Sequence, residues 1–90
     1  MPKLTCNYGV HFTEITQKYR EAVEFQGNHL GDLIEFIDGK YEGFKPELVD
    51  SATGKLMTRN VVLIEREGEN THSVSNLETD LRERDILTFF

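Results

Sequence analysis

Leu30, Leu33, Ile34, Ile37 and Tyr41 recur at steps of three and four, which predicts an amphipathic helix with a single apolar stripe. Asp32, Glu35 and Asp38 fall off that stripe and face water. Asn28 is a suitable N-cap, because its side-chain oxygen can accept a free N–H of the first turn. Gly39 marks the expected helix end, with Tyr41 packing just beyond it. Gly31 near the start costs about 1 kcal/mol against Ala, which the packed stripe offsets. Most of the remaining apolar pattern reads as strand. One helix with one stripe can cover one face of one sheet, so the expected class is a two-layer α+β domain.

The strands follow from alternation. Leu4, Cys6, Tyr8, Val10 and Phe12 alternate with Thr5, Asn7, Gly9 and His11, which predicts a half-buried strand from about Lys3 to Phe12. A polar stretch from Thr13 to Lys18 leads to a second short strand, Arg20 to Phe25, with Val23 and Phe25 on one face. The pair reads as a hairpin with a long loop. Residues Glu42 to Met57 read as loop, in which Phe44, Leu48 and Val49 tuck a helical turn under the core. Val61-Val62-Leu63-Ile64 is apolar on both faces and reads as a central strand. Thr71 to Val74 is a short edge strand, and Ile86 to Phe90 the last. This order, hairpin then helix then three strands, is the plan of the ubiquitin-like β-grasp, with a mixed sheet of four to five strands.

Ninety residues fit one small domain, 1–90. The net charge of −6 opposes phosphate backbones and anionic membranes, so neither nucleic acid nor membrane is an expected partner. No apolar run reaches the length of a membrane span, and the first residues lack a secretory pattern, so a cytoplasmic location is expected.

Chemistry-bearing residues are sparse. There is no phosphate-binding glycine loop, no nucleophile elbow and no paired-histidine motif. Cys6 is the one cysteine, on the apolar phase of its strand, and reads as structural rather than nucleophilic. His11, His29 and His72 lie in three different elements, and no metal or cofactor is expected from them. The chain is therefore expected to act by being recognised, not as an enzyme. Val62, Ile64 and Phe90 reach the sheet face opposite the helix if Leu87 and Phe89 point inward, and an apolar patch there is a partner site. The other reading, that these side chains fill the core, stands level with it. Arg59, Val62, Ile64 and Phe90 are the candidate partner-binding residues.

The order of motifs resembles the MoaD/ThiS family of ubiquitin-like sulfur carriers. The segment from Asn28 to Tyr41, NHLGDLIEFIDGKY, is similar to the family's helix. Asp50, Gly54, Lys55 and Leu56 resemble its linker, Arg59 to Leu63 its next strand, and LETDLRERDILTFF, from Leu77 to Phe90, its last segment. The resemblance spans nearly the whole chain. It implies a carrier that holds sulfur as a thiocarboxylate on a C-terminal Gly-Gly tail, delivering it for molybdopterin, thiamine or cysteine synthesis. It also implies two partners, an adenylating activating enzyme and a sulfur-accepting synthase. The sequence ends at Phe90, so the resemblance places the reactive group on a tail beyond it; the alternative is a tail-less β-grasp interaction module or regulatory subunit. The loop from Ser51 to Leu56 resembles the cysteine branch, while Leu77 to Phe90 fits the molybdopterin branch as well. Arg84 stands where the family often has Gly, which disfavours a positive φ there by about 1 kcal/mol.

Overall fold

The structure is a computed structural model that describes residues 2–90. Its strands are β1 (Lys3–Tyr8), β2 (Arg20–Glu24), β3 (Val49–Asp50), β4 (Lys55–Leu56), β5 (Val62–Glu65), β6 (His72–Val74) and β7 (Ile86–Phe89). Its helices are α1 (Val10–Thr16), α2 (Leu30–Lys40) and α3 (Phe44–Leu48). Five strands form one mixed sheet in the order β2-β1-β7-β5-β6, and β3 with β4 make a small separate hairpin. β1 and β7 run parallel; the other pairs are antiparallel. This is the expected α+β arrangement, with α2 as the main helix on one face.

The helix buries the stripe read from its spacing: Leu30, Leu33, Ile34 and Ile37 are all buried. They meet Leu4, Cys6 and Val23 of the hairpin and Val62, Ile64, Leu87 and Phe89 of the later strands in one core cluster. Phe12, Phe44 and Phe89 close one end of it, with ring centroids 5.3 Å apart for Phe12–Phe44 and for Phe44–Phe89. Edge-on and tilted aromatic pairs of this kind contribute about 0.5–1.5 kcal/mol each beyond the area they bury.

Three local expectations are corrected. The first strand does not reach Phe12: it stops at Tyr8, and α1 takes up Val10 and Phe12 with most of the supposed polar loop. Alternation ends physically at Val10, which is 84% exposed, while Phe12 and Thr16 are buried and Ile15 partly so. Steps of three and four turn these onto one helical face, whereas a strand would have buried Val10 with Phe12. The helix cap is His29, not Asn28. The Asp32 carboxylate accepts from the N–H groups of both Asn28 and His29 at 3.2 Å, which satisfies two donors at the helix entry. Finally, α2 runs through Gly39 to Lys40 before Tyr41 ends it.

Two ties fix the far end of β7. Arg66 grips the buried Asp85 with two hydrogen bonds, Nε to Oδ1 at 2.9 Å and Nη2 to Oδ2 at 2.7 Å. The N–H of Arg82 also donates to Asp85, at 2.8 Å. Burial of this carboxylate is tolerated because its oxygens are so fully met. Next to it, Arg84 adopts φ +71°, the left-handed region where the resemblance places Gly. The strained turn lets its N–H donate to the Lys3 carbonyl at 2.9 Å, starting the alignment of β7 with β1.

Candidate functional site

β7 lies in the middle of the sheet, and its two faces are distinct. Leu87 and Phe89 are buried toward α2, while Ile86 and Thr88 point to the uncovered face. The antiparallel register then decides β5. Val62 stands opposite Phe89 and Ile64 opposite Leu87, so both share the inward face. Directly opposed residues on neighbouring strands always lie on the same side of the sheet. Val62 and Ile64 are accordingly buried in the core, and their assignment to an exposed partner surface is corrected. The uncovered face takes the other phase of β5, with Leu63 opposite Thr88 and Glu65 opposite Ile86.

Phe90 does belong to that face. It continues the phase of Ile86 and Thr88 and exchanges backbone hydrogen bonds with Val61, at 2.9 and 3.3 Å. Phe90 is 50% exposed and Val61 42%. With Leu63 and Ile86 they form an apolar row on the open side, beside Thr5, Asn7 and Ala22 of the first two strands. Apolar side chains gathered on a face that the chain itself leaves uncovered are what a docking surface requires.

At this end of the sheet two backbone segments pass close together. The Gly9 N–H donates to the Phe89 carbonyl at 2.7 Å. A β-carbon at Gly9 would lie 2.9 Å from that oxygen and 3.3 Å from the Phe90 α-carbon. Glycine is needed here for the close approach of two backbones, not for its dihedral freedom.

Arg59, the remaining candidate, is exposed just before β5. Its Nη2 lies 3.6 Å from Glu47 Oε2, and His11 Nε2 reaches the same oxygen at 3.1 Å. The Asn60 side-chain amide donates to the Glu47 carbonyl at 2.6 Å. Glu47 thus joins α1, α3 and the start of β5. Exposed pairs like these contribute about 1 kcal/mol or less, so their use lies in orienting side chains.

The other chemistry-bearing residues are accounted for structurally. Cys6 is buried in the core, and burial, reinforced by the Glu21 charge, pushes its thiol up to about 12. His29 lies 3.4 Å from Asp32 and 3.2 Å from Asp80, and His72 Nδ1 lies 3.1 Å from the Asn70 carbonyl. Among the described residues no group of three His, Cys, Asp or Glu side chains is placed to hold a metal ion.

Sequence reasoning missed a polar hub inside the helix-covered side. Glu21 accepts from the Tyr8 hydroxyl at 2.6 Å, the Tyr41 hydroxyl at 3.1 Å and Lys40 Nζ at 3.1 Å. Burial alone would push this carboxyl up; the Tyr8, Lys40 and Tyr41 hydrogen bonds and the Lys40 charge outweigh it and hold it below the usual range. The signal was present in the sequence: Glu21 shares the phase of Val23 and Phe25, the buried face of its strand.

Solved structures supply the comparison. A putative molybdopterin converting factor, subunit 1, from Pyrococcus furiosus matches with a TM-score of 0.72 and 23% identity, over 100% of this chain and 97% of its own. The chain has the ubiquitin-like β-grasp fold of the MoaD/ThiS sulfur carriers. CysO from Mycobacterium tuberculosis, described as an antigen, matches with a TM-score of 0.73 and 25% identity, over 97% of this chain and 96% of that one. A chain of the Amycolatopsis orientalis BexX/CysO complex matches at 0.71 and 21% identity, covering 97% and 92%. No protein-family model and no curated protein matches the sequence. In this β-grasp domain β7 is the central strand, and Phe90, which follows it, lies on the uncovered face.

Proposed function

We propose that this β-grasp domain is a protein carrier of sulfur, docked by its uncovered sheet face and holding the sulfur as a thiocarboxylate on a segment that continues from Phe90. The observation that carries the reading is the position of Phe90. It ends the central strand, exposed beside Val61 and Gly9, so a continuing segment projects from the docking face itself. Such a segment enters a partner's active site when the face is seated, because both belong to one rigid element.

The chemistry then resides in the tail, and the domain supplies recognition. An activating enzyme adenylates the terminal carboxylate, and sulfur displaces the adenylate. Leu63, Ile86, Val61 and Phe90 offer the apolar contact, and Arg59 a charged contact at the rim. The expected partners are the adenylating enzyme and a synthase that accepts the sulfur. The fold shared with a molybdopterin converting factor subunit and with CysO in its complex with BexX supports this reading.

The test is the intact mass of the protein isolated from its native cell, read with its C-terminal peptide. A chain extended beyond Phe90 to Gly-Gly, partly with one oxygen replaced by sulfur, is the expected result. A mass that stops at Phe90 overturns carriage and leaves a docking module that works through the same face.

A further inference from the structure

Most cations of this chain are already engaged. Lys18, Lys40, Lys45, Arg59, Arg66 and Arg82 are each held in an ion pair. Among the described residues Lys3, Arg20, Lys55 and Arg84 are in none, and their surroundings differ. Lys55 belongs to the separate hairpin, off the five-stranded sheet. Lys3 has Glu24 opposite it across the ladder. Arg84 shares a shallow hollow with Glu83, beside Lys3 and Ile86. Arg20 is exposed and stands opposite Asn7. Asn7 alternates with the buried Leu4, Cys6 and Tyr8, so both side chains lie on the uncovered face.

The carboxylates that these strands carry on the same face are remote from Arg20. Glu24 is four residues along β2, roughly 13 Å at about 3.3 Å per residue. Glu65 is three strands across, roughly 14 Å at about 4.8 Å per strand. What Arg20 does have beside it is a row of donors. Arg20, Asn7, Thr88 and Leu63 follow one another across β2, β1, β7 and β5. The Asn7 amide donates to the Thr88 hydroxyl at 3.4 Å, and that hydroxyl keeps its own hydrogen to give. At its other end the row reaches Leu63 and the apolar surface of Val61 and Phe90.

We infer that this row seats an acidic side chain of the docking partner. An Asp or Glu carboxylate lies over Asn7, between the Arg20 guanidinium and the Thr88 hydroxyl, and an apolar neighbour rests on Leu63 and Phe90. The inference rests on the docking role of the uncovered face and adds the chemistry of what docks there. An ionised carboxylate only accepts, and the planar guanidinium fork fits its two oxygens. The selection runs against the charge of the whole molecule. At −6 the chain repels an acidic partner at a distance, so the preference comes from this row alone.

The test is an amide-resolved NMR titration of the whole chain with three synthetic hexapeptides, alternating Leu with Glu, Leu with Gln and Leu with Lys. The Glu peptide is expected to shift the amides of Asn7, Arg20, Leu63 and Thr88 saturably. The Gln peptide should bind there at least tenfold more weakly, and the Lys peptide should leave these amides unmoved. Arg20→Gln should lower the affinity for the Glu peptide at least tenfold, and Arg20→Glu should reverse the order of the Glu and Lys peptides. Arg20→Gln carries the test if Arg20→Glu does not fold. Lys55→Gln, which changes the net charge equally but lies off the sheet, should alter nothing. Absence of saturable shifts at millimolar Glu peptide overturns the inference. Equal binding of the Glu and Gln peptides also overturns it, while leaving the uncovered face a docking surface. Shifts of the same amides on concentrating the free chain would give the face to a second copy and overturn it too. The titration does not involve a tail, so it can fail while the mass measurement succeeds, and the reverse.

Discussion

Gly9 and Phe89 meet backbone to backbone: the glycine N–H donates to the phenylalanine carbonyl at 2.7 Å, leaving 2.9 Å for any β-carbon. Gly9→Ala must push the end of β7 away from the residues that follow β1. The expected cost is about 1–3 kcal/mol, the range for overpacking against atoms that cannot yield. Urea unfolding of the variant measures it, and an unchanged midpoint would show that the passage is looser than described.

The register of β5 against β7 separates core from surface by single positions. Ile64→Arg buries a charge among Leu87, Ile34 and their neighbours and is expected to abolish cooperative folding, at several kcal/mol. Leu63→Asp, one residue earlier, points to the uncovered face and should change stability by about 1 kcal/mol or less. Circular dichroism melts of the two variants distinguish the phases, and Leu63→Asp should still weaken the docked complex.

Glu21 makes stability depend on acid. Its carboxyl is held low in the folded state, so its contribution is complete above the ordinary carboxyl range near about 4.3 and is lost as pH falls through the folded value. Glu21→Gln should cost about 1–3 kcal/mol at pH 7, where the Tyr8, Tyr41, Lys40 and Lys18 donors lose a charged acceptor. The gap between variant and parent should shrink at pH 3. Urea midpoints at the two pH values give the answer, and a gap constant across them would exclude the charge as its source.

Arg84 is strained at φ +71°. Arg84→Gly relieves about 1–2 kcal/mol of left-handed strain and gives back about 0.4–1 kcal/mol through the greater freedom of the unfolded chain. A small net gain in melting temperature is expected. A loss would mean that the arginine side chain holds the turn by contacts of its own.

Cys6 should ignore thiol reagents in the native protein. The thiol is buried and its ionisation pushed up to about 12, so modification requires unfolding. Labelling at increasing urea should follow the unfolding curve, and prompt reaction in buffer would contradict its place in the core.

What the sequence disclosed depended on how many patterns fixed each element. The α2 stripe at Leu30, Leu33, Ile34 and Ile37 fits one period only, and it was legible in full. Val61 to Ile64 is apolar throughout, so alternation cannot say which of its sides faces the core; only its pairing with Leu87 and Phe89 does. The same ambiguity misled the reading at Val10 and Phe12, two residues apart, which suit a strand until Ile15 and Thr16 are counted with Phe12 as a helical face. Glu21 was passed over because its charge outweighed its phase. Of the candidate surface, Phe90 and Arg59 are exposed, while Leu63 and Ile86 occupy the positions on the uncovered face given to Val62 and Ile64.

The central place of β7 also governs the order in which the molecule can assemble. Asn7 and Thr88 are neighbours across the β1–β7 ladder although 81 positions separate them in the chain. Until that late segment arrives, β1 has one open side and β5 another, and the core lacks Leu87 and Phe89 from its middle. Local hairpins and the helix cannot close the sheet in advance. Such distant pairing places the loop-closure cost before the reward, so folding should be a single late step, slower than the size of the chain suggests.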